Sequence, residues 1–519
     1  MINYFCIFSL FVLSIPFIKN AMHMFQQNRY EFYRYTKWLF SLKNIYFSSA
    51  LIYAFLLLDL SFINDAYLTL FVAISNIIFS LYLIYKDCHR VYIKPLVYTT
   101  RVKRTLLVFL FIDLILINLF YYYLPFTING IIAIYFPYLL IYLVALIMMP
   151  VEKAVKNHYI NEARSILDKM DDLKIIGITG SFGKTSVKNI VHDILDESFY
   201  TLMTPASYNT PMGITKTIRE YLKPIHEVFV CEMGADHVGE ITYLMNFVKP
   251  KYGVVTSIGP QHLNTFKNMD NIIHEKMQAI ELLPEDGVGI INIDNEYINN
   301  YEIKNKCSIV KVAIHNTEKA DYLATDITYH KRGSAFTIVH DGQRYQYQTS
   351  LLGEHNIMNI LIAVALANKM GVPMEKTIRA VNNCRQIEHR LEIKEINGYT
   401  FIDNAFNSNP VSSKHSLDVL KMMEGDRIIV TPGLIDLGAQ EYEYNKEFGR
   451  YMLGRTDMVM LIGPKQTEAI REGLKEVGYD SNKVLVFNAV KEAFSYIYQN
   501  VSKDATILLE NDLPDAFSK

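Results

Sequence analysis

The sequence predicts a helical membrane region of about five transmembrane helices followed by two α/β domains, and three observations carry that expectation. Apolar residues crowd into positions 1–150, where acidic residues are few, while 151–519 has the mixed composition of a soluble chain. Five apolar stretches lie within the first 150 positions, each close to the roughly 20 residues that carry a helix across about 30 Å of hydrocarbon. From about position 173 onward, β-rich apolar runs alternate with amphipathic helical patterns, as βαβ units around a parallel sheet require. The 519 residues leave room for two or three domains.

The apolar stretches cover about 2–19, 45–64, 66–85, 105–124 and 130–149. The first sits where a cleavable signal would, but it lacks a basic leading segment and a small-x-small exit, so it reads as a membrane helix. Any one stretch has the alternative of a buried core helix. Five in succession, with so little soluble chain between them, argue for a membrane. The loops orient the set. Segment 20–43 carries Arg29, Arg34, Lys37 and Lys43 against Glu31, and segment 86–104 carries Lys86, Arg90, Lys94, Arg101, Lys103 and Arg104 against Asp87. The connections at Asn64-Asp65 and Pro125-Phe126-Thr127 hold no basic residue. Positive charge marks the cytoplasmic side, so the expectation is a multi-pass cell-membrane protein with its N-terminus outside and everything after Met149 inside. Asp113, mid-span, has two open readings: a site for a lipid head group, or a protonated helix-packing hydrogen bond.

Net charge is −2 and the pI is near 6.7, so no basic field argues for nucleic acid. Cys6, Cys88, Cys231, Cys307 and Cys384 are scattered, without metal-ligand spacing, and read as reduced thiols.

After the membrane region (1–150), charged residues with helical spacing of Val155, Tyr159, Ile166, Leu167 and Met170 predict a linker helix over 151–172. Strands follow at 173–179, 226–232, 252–257 and 287–293, with helices at 184–197, 238–247 and 271–283, an antiparallel-looking patch at 321–351 and a helix at 355–370. A second, smaller α/β pattern has strands at 391–396, 399–403, 427–431, 457–462, 484–487 and 505–509. The domains divide near 384–388, giving 173–386 and 387–519.

Ile175 to Thr185 reads I-I-G-I-T-G-S-F-G-K-T, a strand running through a glycine turn into a helix. Gly180, Ser181 and Gly183 let backbone N–H groups face phosphate oxygens, and the helix N-terminus adds a favourable dipole. Lys184 neutralises the β/γ-phosphates and the Thr185 hydroxyl reaches Mg²⁺ in such a loop. The strict P-loop places a glycine where this chain has Ile178. Glu232 follows the next apolar strand, His262 the one after, and Lys276 lies in the helical stretch beyond. A lone strand-end glutamate is usually solvated and a lone histidine usually structural. Beside a phosphate loop they read together as a two-metal ATP site, in a P-loop parallel-sheet domain followed by a Rossmann-like one.

These motifs, with S-Y-N-T-P-M-G (207–213), E-M-G-A, I-G-P-Q-H-L, E-K-M-Q-A-I-E-L-L-P, I-N-I-D-N, G-E-H-N-I-M-N, E-H-R-L-E and D-N-A-F-N-S-N-P, stand in one order over about 173–440. In them the chain resembles the Mur ligases of bacterial cell-wall peptide synthesis, nearest the branch that adds D-alanyl-D-alanine to a UDP-linked muramoyl tripeptide. The resemblance implies that Lys184 and Thr185 bind ATP phosphates and Mg²⁺, that Glu232 and His262 hold metal ions, and that Lys276 is carbamylated. It implies adenine-side roles for Asn292 and Asn356, and closure of the C-terminal domain over phosphates and ribose through Arg390 and Asp403. Asn209 and Thr210 match the acceptor-side loop, and Asn407 and Asn409 lie near the incoming amine. The implied reaction has two steps. An acceptor carboxylate, UDP-linked or lipid-linked, takes the γ-phosphoryl group, and the amine of an amino acid or dipeptide then displaces phosphate.

The chain departs from the family where residues 1–150 replace the UDP-sugar-binding domain, where Phe406 replaces a tyrosine, and where Leu508 to Asp515 lacks a K-G-S stretch. Two other readings stay open: a membrane amide ligase resembling poly-γ-glutamate synthase, and a non-catalytic membrane scaffold that binds ATP as a switch.

Overall fold

The computed structural model describes residues 2–41, 47–60, 66–90, 92, 94–330, 333–386, 389–405, 408–435, 437 and 440–511. The chain falls into two compact units, Met1–His158 and Tyr159–Lys519.

The first unit is helical: Ile2–Gln27, Phe32–Leu39, Phe47–Leu60, Ala66–Cys88, Thr100–Tyr123, Phe126–Tyr135 and the start of Pro137–Leu167. Among the described residues, four helices are long and apolar enough to cross a membrane. The stretch at 45–64 yields the 14-residue helix Phe47–Leu60, with 42–46 and 61–65 outside the described residues. The stretch at 130–149 divides at Phe136, because Pro137 has no N–H to continue the first helix and instead opens the next. The ten-residue piece Phe126–Tyr135 reaches about 15 Å, half of the hydrocarbon thickness. The charged segment after Met149 continues the same helix to Leu167.

Inside this bundle Leu13, Phe17, Ala21, Phe25, Ile134, Ile141 and Val144 form the apolar core. Leu107, Phe111, Phe71 and Leu119 stay at least half exposed, a surface suited to hydrocarbon rather than water. Asp113 is buried and accepts a hydrogen bond from Ser14 Oγ at 2.6 Å, tying two long helices together. The segments that the charge pattern assigns to one side come together: Lys19 pairs with Asp87 at 2.5 Å, Gln26 Nε2 donates to Val97 O at 2.9 Å, and Arg104 pairs with Glu152 at 2.8 Å.

The second unit holds two sheets. The larger contains β1 (Lys174–Thr179), β2 (Thr201–Met203), β3 (Val228–Glu232), β4 (Tyr252–Val255), β5 (Val288–Asn292), β6 (Ser308–Ala313), β7 (Tyr322–His330), β8 (Gly333–His340) and β9 (Gln343–Thr349). Their order is β2-β3-β1-β4-β5-β6-β7-β8-β9, parallel up to β7 and antiparallel from β7 to β9, so the patch at 321–351 is a meander. Alternate residues of the strands feed opposite faces. Ile176, Ile178 and Val230 pack with Val187, Ile190, Leu361 and Val364 of the helices Lys184–Leu195 and Glu354–Lys369. Phe229, Cys231 and Val255 pack with Ile241, Leu244, Met277 and Ile280 of Glu240–Val248 and Met269–Glu281. Ile160 and Ala163 join this second layer.

The smaller sheet contains β10 (Glu392–Ile396), β11 (Tyr399–Asn404), β12 (Arg427–Thr431), β13 (Met458–Ile462), β14 (Val484–Phe487) and β15 (Thr506–Glu510), in the order β10-β11-β15-β12-β13-β14. Only the β10–β11 hairpin is antiparallel. In the larger sheet the chain leaves β1 toward β3 and returns to β4 on the other side. That reversal opens a crevice beyond the carboxyl ends of β1 and β4, where open α/β sheets bind ligands.

Candidate active site

β1 ends at Thr179 and the next helix begins at Lys184, so Gly180 to Gly183 makes its turn inside that crevice. Gly180 has φ +151° and Gly183 φ +79°, backbone that L side chains rarely adopt. A Cβ on Gly180 would lie 2.1 Å from Thr256 Oγ1. The residues after β4 hold the loop down. Ser181 N donates to Ser257 O at 2.7 Å, Ser181 Oγ donates to Gly259 O at 3.0 Å, and Phe182 N donates to Ser257 Oγ at 3.3 Å. Thr256 Oγ1 donates to Phe182 O. Lys184 Nζ reaches back into the loop, donating to Gly180 O at 2.7 Å and Ser181 O at 3.3 Å. Thr185 follows in the first helical turn.

Glu232 closes β3 with its carboxyl fully buried. Asn209 Nδ2 donates to Oε1 at 2.9 Å, while Oε2 accepts no hydrogen bond among the described residues and lies 3.2 Å from Lys188 Nζ. Lys276, buried in Met269–Glu281, donates to Ala235 O at 3.1 Å. Burial lowers the Lys276 pKa to about 7; the Lys184 charge adds to that, and Glu275, Glu240 and Asp236 oppose it. Burial likewise lowers Lys184 to about 8, with Glu232 pulling up and Arg390 pushing down. Arg390 sits between His389 and Leu391, both at positive φ, and feels Glu232 and Glu510. Lys184, Glu232, Lys276 and Arg390 therefore form one electrostatic cluster.

The remaining predicted residues lie around it. His262 opens the short helix Leu263–Phe266 at φ +52°. Burial would raise the pKa of the nearby Asp236, but His237 and Glu240 hold it below its usual range, and His262 adds to them. Asn292 Nδ2 donates to Thr256 O at 3.2 Å, and Asn356 Nδ2 to Leu352 O at 2.9 Å. Asp403 ends near Lys394 Nζ at 2.7 Å and His389 Nδ1 at 2.8 Å; burial would raise its pKa, but those two hold it low. Thr210 caps the helix Pro211–Glu220, accepting from Gly213 N at 3.3 Å. Asn409 caps Pro410–Lys421, accepting from Val411 N and Ser412 N. Asn407 and Phe406 lie outside the described residues.

Sequence comparison matches the Mur ligase middle domain to residues 178–367 and the Mur ligase glutamate ligase domain to 389–510, together more than half of the chain. The chain belongs to the Mur ligase family. It is 29% identical over 343 residues to the UDP-N-acetylmuramoyl-tripeptide--D-alanyl-D-alanine ligase of Bacillus subtilis, covering 65% of this chain and 72% of that one. It is 30% identical to the Haemophilus influenzae protein of that name, covering 56% and 64%. Of solved structures, MurF from Acinetobacter baumannii superposes with a TM-score of 0.62 at 25% identity, covering 69% and 77%. The Thermotoga maritima MurF ligase crystallised with ADP has a TM-score of 0.62 at 21% identity and shares the fold, covering 69% and 80%. As a Mur ligase the chain stands among the ATP-dependent amide-forming ligases of peptidoglycan precursor synthesis.

Two buried charges of this Mur ligase escape reading from sequence. Lys188 stands one helical turn after Lys184 and donates to Ala206 O while pairing with Glu232. Its i+4 spacing is a usable signal, but an exposed lysine is the usual outcome of such spacing. Glu510, at the end of β15, is fully buried among Asn404, Ser408 and Ser416. Nothing in its local sequence announces that.

Proposed function

We propose that this Mur ligase is carried in the cell membrane by its helical unit, N-terminus outside and α/β domains in the cytoplasm. There it joins the amine of an amino acid or dipeptide to a carboxylate acceptor, UDP-linked or lipid-linked, through an acyl phosphate. The observation that carries the reading is the electrostatic cluster of buried Glu232 and Lys276 with the half-buried Lys184 and Arg390. Four separated motifs have no structural need to bring their charges together.

The γ-phosphoryl group passes to the acceptor carboxylate while Lys184, bridging the loop carbonyls, shifts onto the phosphate oxygens. Arg390 enters from the C-terminal domain to neutralise charge as the bond to ADP lengthens. The amine then attacks the activated carbonyl, and closure of the C-terminal domain keeps water from the acyl phosphate. Asn209 holds Glu232 from the acceptor-side loop, and Thr210 caps the helix that follows it. In this reading Asn292, Asn356 and Asp403 serve the nucleoside and Asn409 the amine; Asn407, assigned to the amine by motif, lies outside the described residues.

The donor set suits Mg²⁺: Glu232 offers a buried oxygen that accepts no hydrogen bond among the described residues and is paired only with Lys188, Thr185 offers a hydroxyl, and hard cations take oxygen ligands. Mg²⁺ supplies charge neutralisation of the phosphates when bound. Two sites are expected, the second at His262 and Lys276. A lysine whose pKa falls to about 7 has far more of its neutral amine form near neutral pH than an ordinary lysine, that form takes up CO₂ as a carbamate, and the carbamate offers anionic oxygens.

The test uses the full chain in lipid nanodiscs with ATP, Mg²⁺, UDP-linked muramoyl tripeptide or its lipid-linked counterpart, and labelled D-alanyl-D-alanine. Equal yields of ADP and amide product are expected. No ADP and no amide with either acceptor would sink the proposal, and incorporation of labelled glutamate instead of the dipeptide would favour the poly-γ-glutamate type.

A further inference from the structure

Lys188 lies one turn beyond Lys184 on the helix that follows the glycine turn, and its charge is wholly buried. Its Nζ touches two other parts of the chain at once. It lies 3.2 Å from Glu232 Oε2 at the end of β3, and it donates to Ala206 O in the loop after β2. Uncharged groups lay that loop against β3. Thr204 N donates to Val230 O at 3.0 Å, Glu232 N to Thr204 Oγ1 at 3.1 Å, and Gly234 N to Asn209 O at 2.8 Å. Asn209 Nδ2 donates to Glu232 Oε1 at 2.9 Å. Between these attachments Ala206 stands at φ +43°, a conformation costly for a residue with a Cβ, and Lys188 grips its carbonyl.

One cation therefore joins three elements: the helix after the glycine turn, the carboxylate at the strand end and the loop on the far side of it. A buried Lys–Glu pair seldom stabilises a fold more than apolar side chains of the same size would. The pairing here is also lopsided. A carboxylate offers about four acceptor positions. Oε2 of Glu232 nevertheless accepts no hydrogen bond among the described residues and faces only the Lys188 charge. A second cation arriving on that oxygen competes with Lys188, because like charges a few ångströms apart in a buried site repel strongly. Ala206 O is then the partner that remains to Nζ.

We propose that Lys188 is a positioning residue that couples a divalent cation at Glu232 to the acceptor-side loop 204–210. The cation displaces Nζ from Oε2, and the loop, held through Ala206, loosens from β3 to admit the acceptor. The inference rests on the proposed reading of Glu232 as a metal ligand and of this loop as the acceptor side. Linkage makes the coupling reciprocal: whatever presses the loop onto β3 weakens the hold on the cation.

The test uses the full chain in lipid nanodiscs, with Mn²⁺ and no nucleotide as the probe. Paramagnetic resonance should detect a bound ion whose affinity falls at least about tenfold in Glu232→Gln. Lys188→Met should bind Mn²⁺ about tenfold more tightly, because the competing charge is gone, whereas loss of a merely structural lysine leaves that affinity unchanged or weaker. Amide hydrogen exchange at 204–210, read by mass spectrometry, should quicken about fivefold when Mn²⁺ is added to the wild type, with β12 and β13 unchanged. In Lys188→Met the loop should exchange quickly with or without the ion, and Lys188→Arg should restore the response. Loop exchange that ignores Mn²⁺ in the wild type overturns the coupling, and that measurement decides even where Lys188→Met does not fold. Unchanged or weaker Mn²⁺ binding in a folded Lys188→Met overturns it as well. Absence of any Glu232-dependent Mn²⁺ signal removes the metal reading and the coupling together, while such a signal with a silent loop removes the coupling alone.

Discussion

At the scale of single residues, the cluster is built from charges that burial makes uncomfortable. Lys184→Met removes the cation that follows the migrating phosphoryl group, so ADP formation should fall by roughly 100- to 1,000-fold in a coupled assay, with the fold intact by circular dichroism. Lys276→Ala separates enzyme from scaffold. A ligase loses its product by a comparable factor, while a scaffold keeps its cellular function. Glu510 gives a stability prediction with a definite sign. Its folded pKa is raised to about 7 from an ordinary 4.5, so its contribution is fully present below about pH 4.5 and is lost as pH rises through 7. Calorimetry should find the smaller α/β domain melting lower at pH 8 than at pH 6, and Glu510→Gln should flatten that slope. Lys188, Glu232 and Glu510 also show where sequence stops informing. Burial of a charge is a property of packing from distant segments, and Glu510 meets partners about a hundred positions upstream.

At the scale of elements, the strands of both sheets were largely legible, because β1, β3, β4 and β5 read as apolar runs and their helices carry amphipathic spacing. The three-residue β2 is too short to leave a pattern, and β6 alternates with exposed residues at a sheet position that only pairing reveals. Thr210 and Asn409 are instructive in another way. Motif position points to substrate, whereas local geometry spends both side chains on helix caps. Asn409→Ala should therefore lower stability by about 1 kcal/mol, read from denaturant unfolding, whatever it does to the amine. The turn proposed to hold phosphate admits no side chain at Gly180. Gly180→Ala places a methyl against Thr256 Oγ1 in a strained backbone, and nucleotide affinity should fall by at least about tenfold in a direct binding titration.

At the scale of the whole molecule, hydropathy identified the helical region: the stretches near 2–19, 66–85, 105–124 and 130–149 each correspond to a helix long and apolar enough to cross a membrane, while that at 45–64 runs at both ends into residues outside the described ones. Charge bias, by contrast, found the segments that the bundle gathers at one end through Lys19–Asp87 and Arg104–Glu152. Cys88 is exposed while Cys6, Cys231, Cys307 and Cys384 are buried. A membrane-impermeant thiol reagent should leave Cys88 unlabelled in intact cells and label it after permeabilisation. Labelling from outside would reverse the proposed orientation.

If the Gly180–Gly183 turn holds phosphate as proposed, its fastening to Ser257 and Gly259 bears on the thermodynamics of nucleotide capture. A turn already immobilised by its own protein loses little freedom when phosphate arrives, so association should draw mainly on enthalpy from the new polar contacts. Releasing one fastening, as in Ser257→Ala, moves part of that ordering into the binding event. Titration calorimetry would register it as a more adverse entropy of ATP binding with the heat little altered.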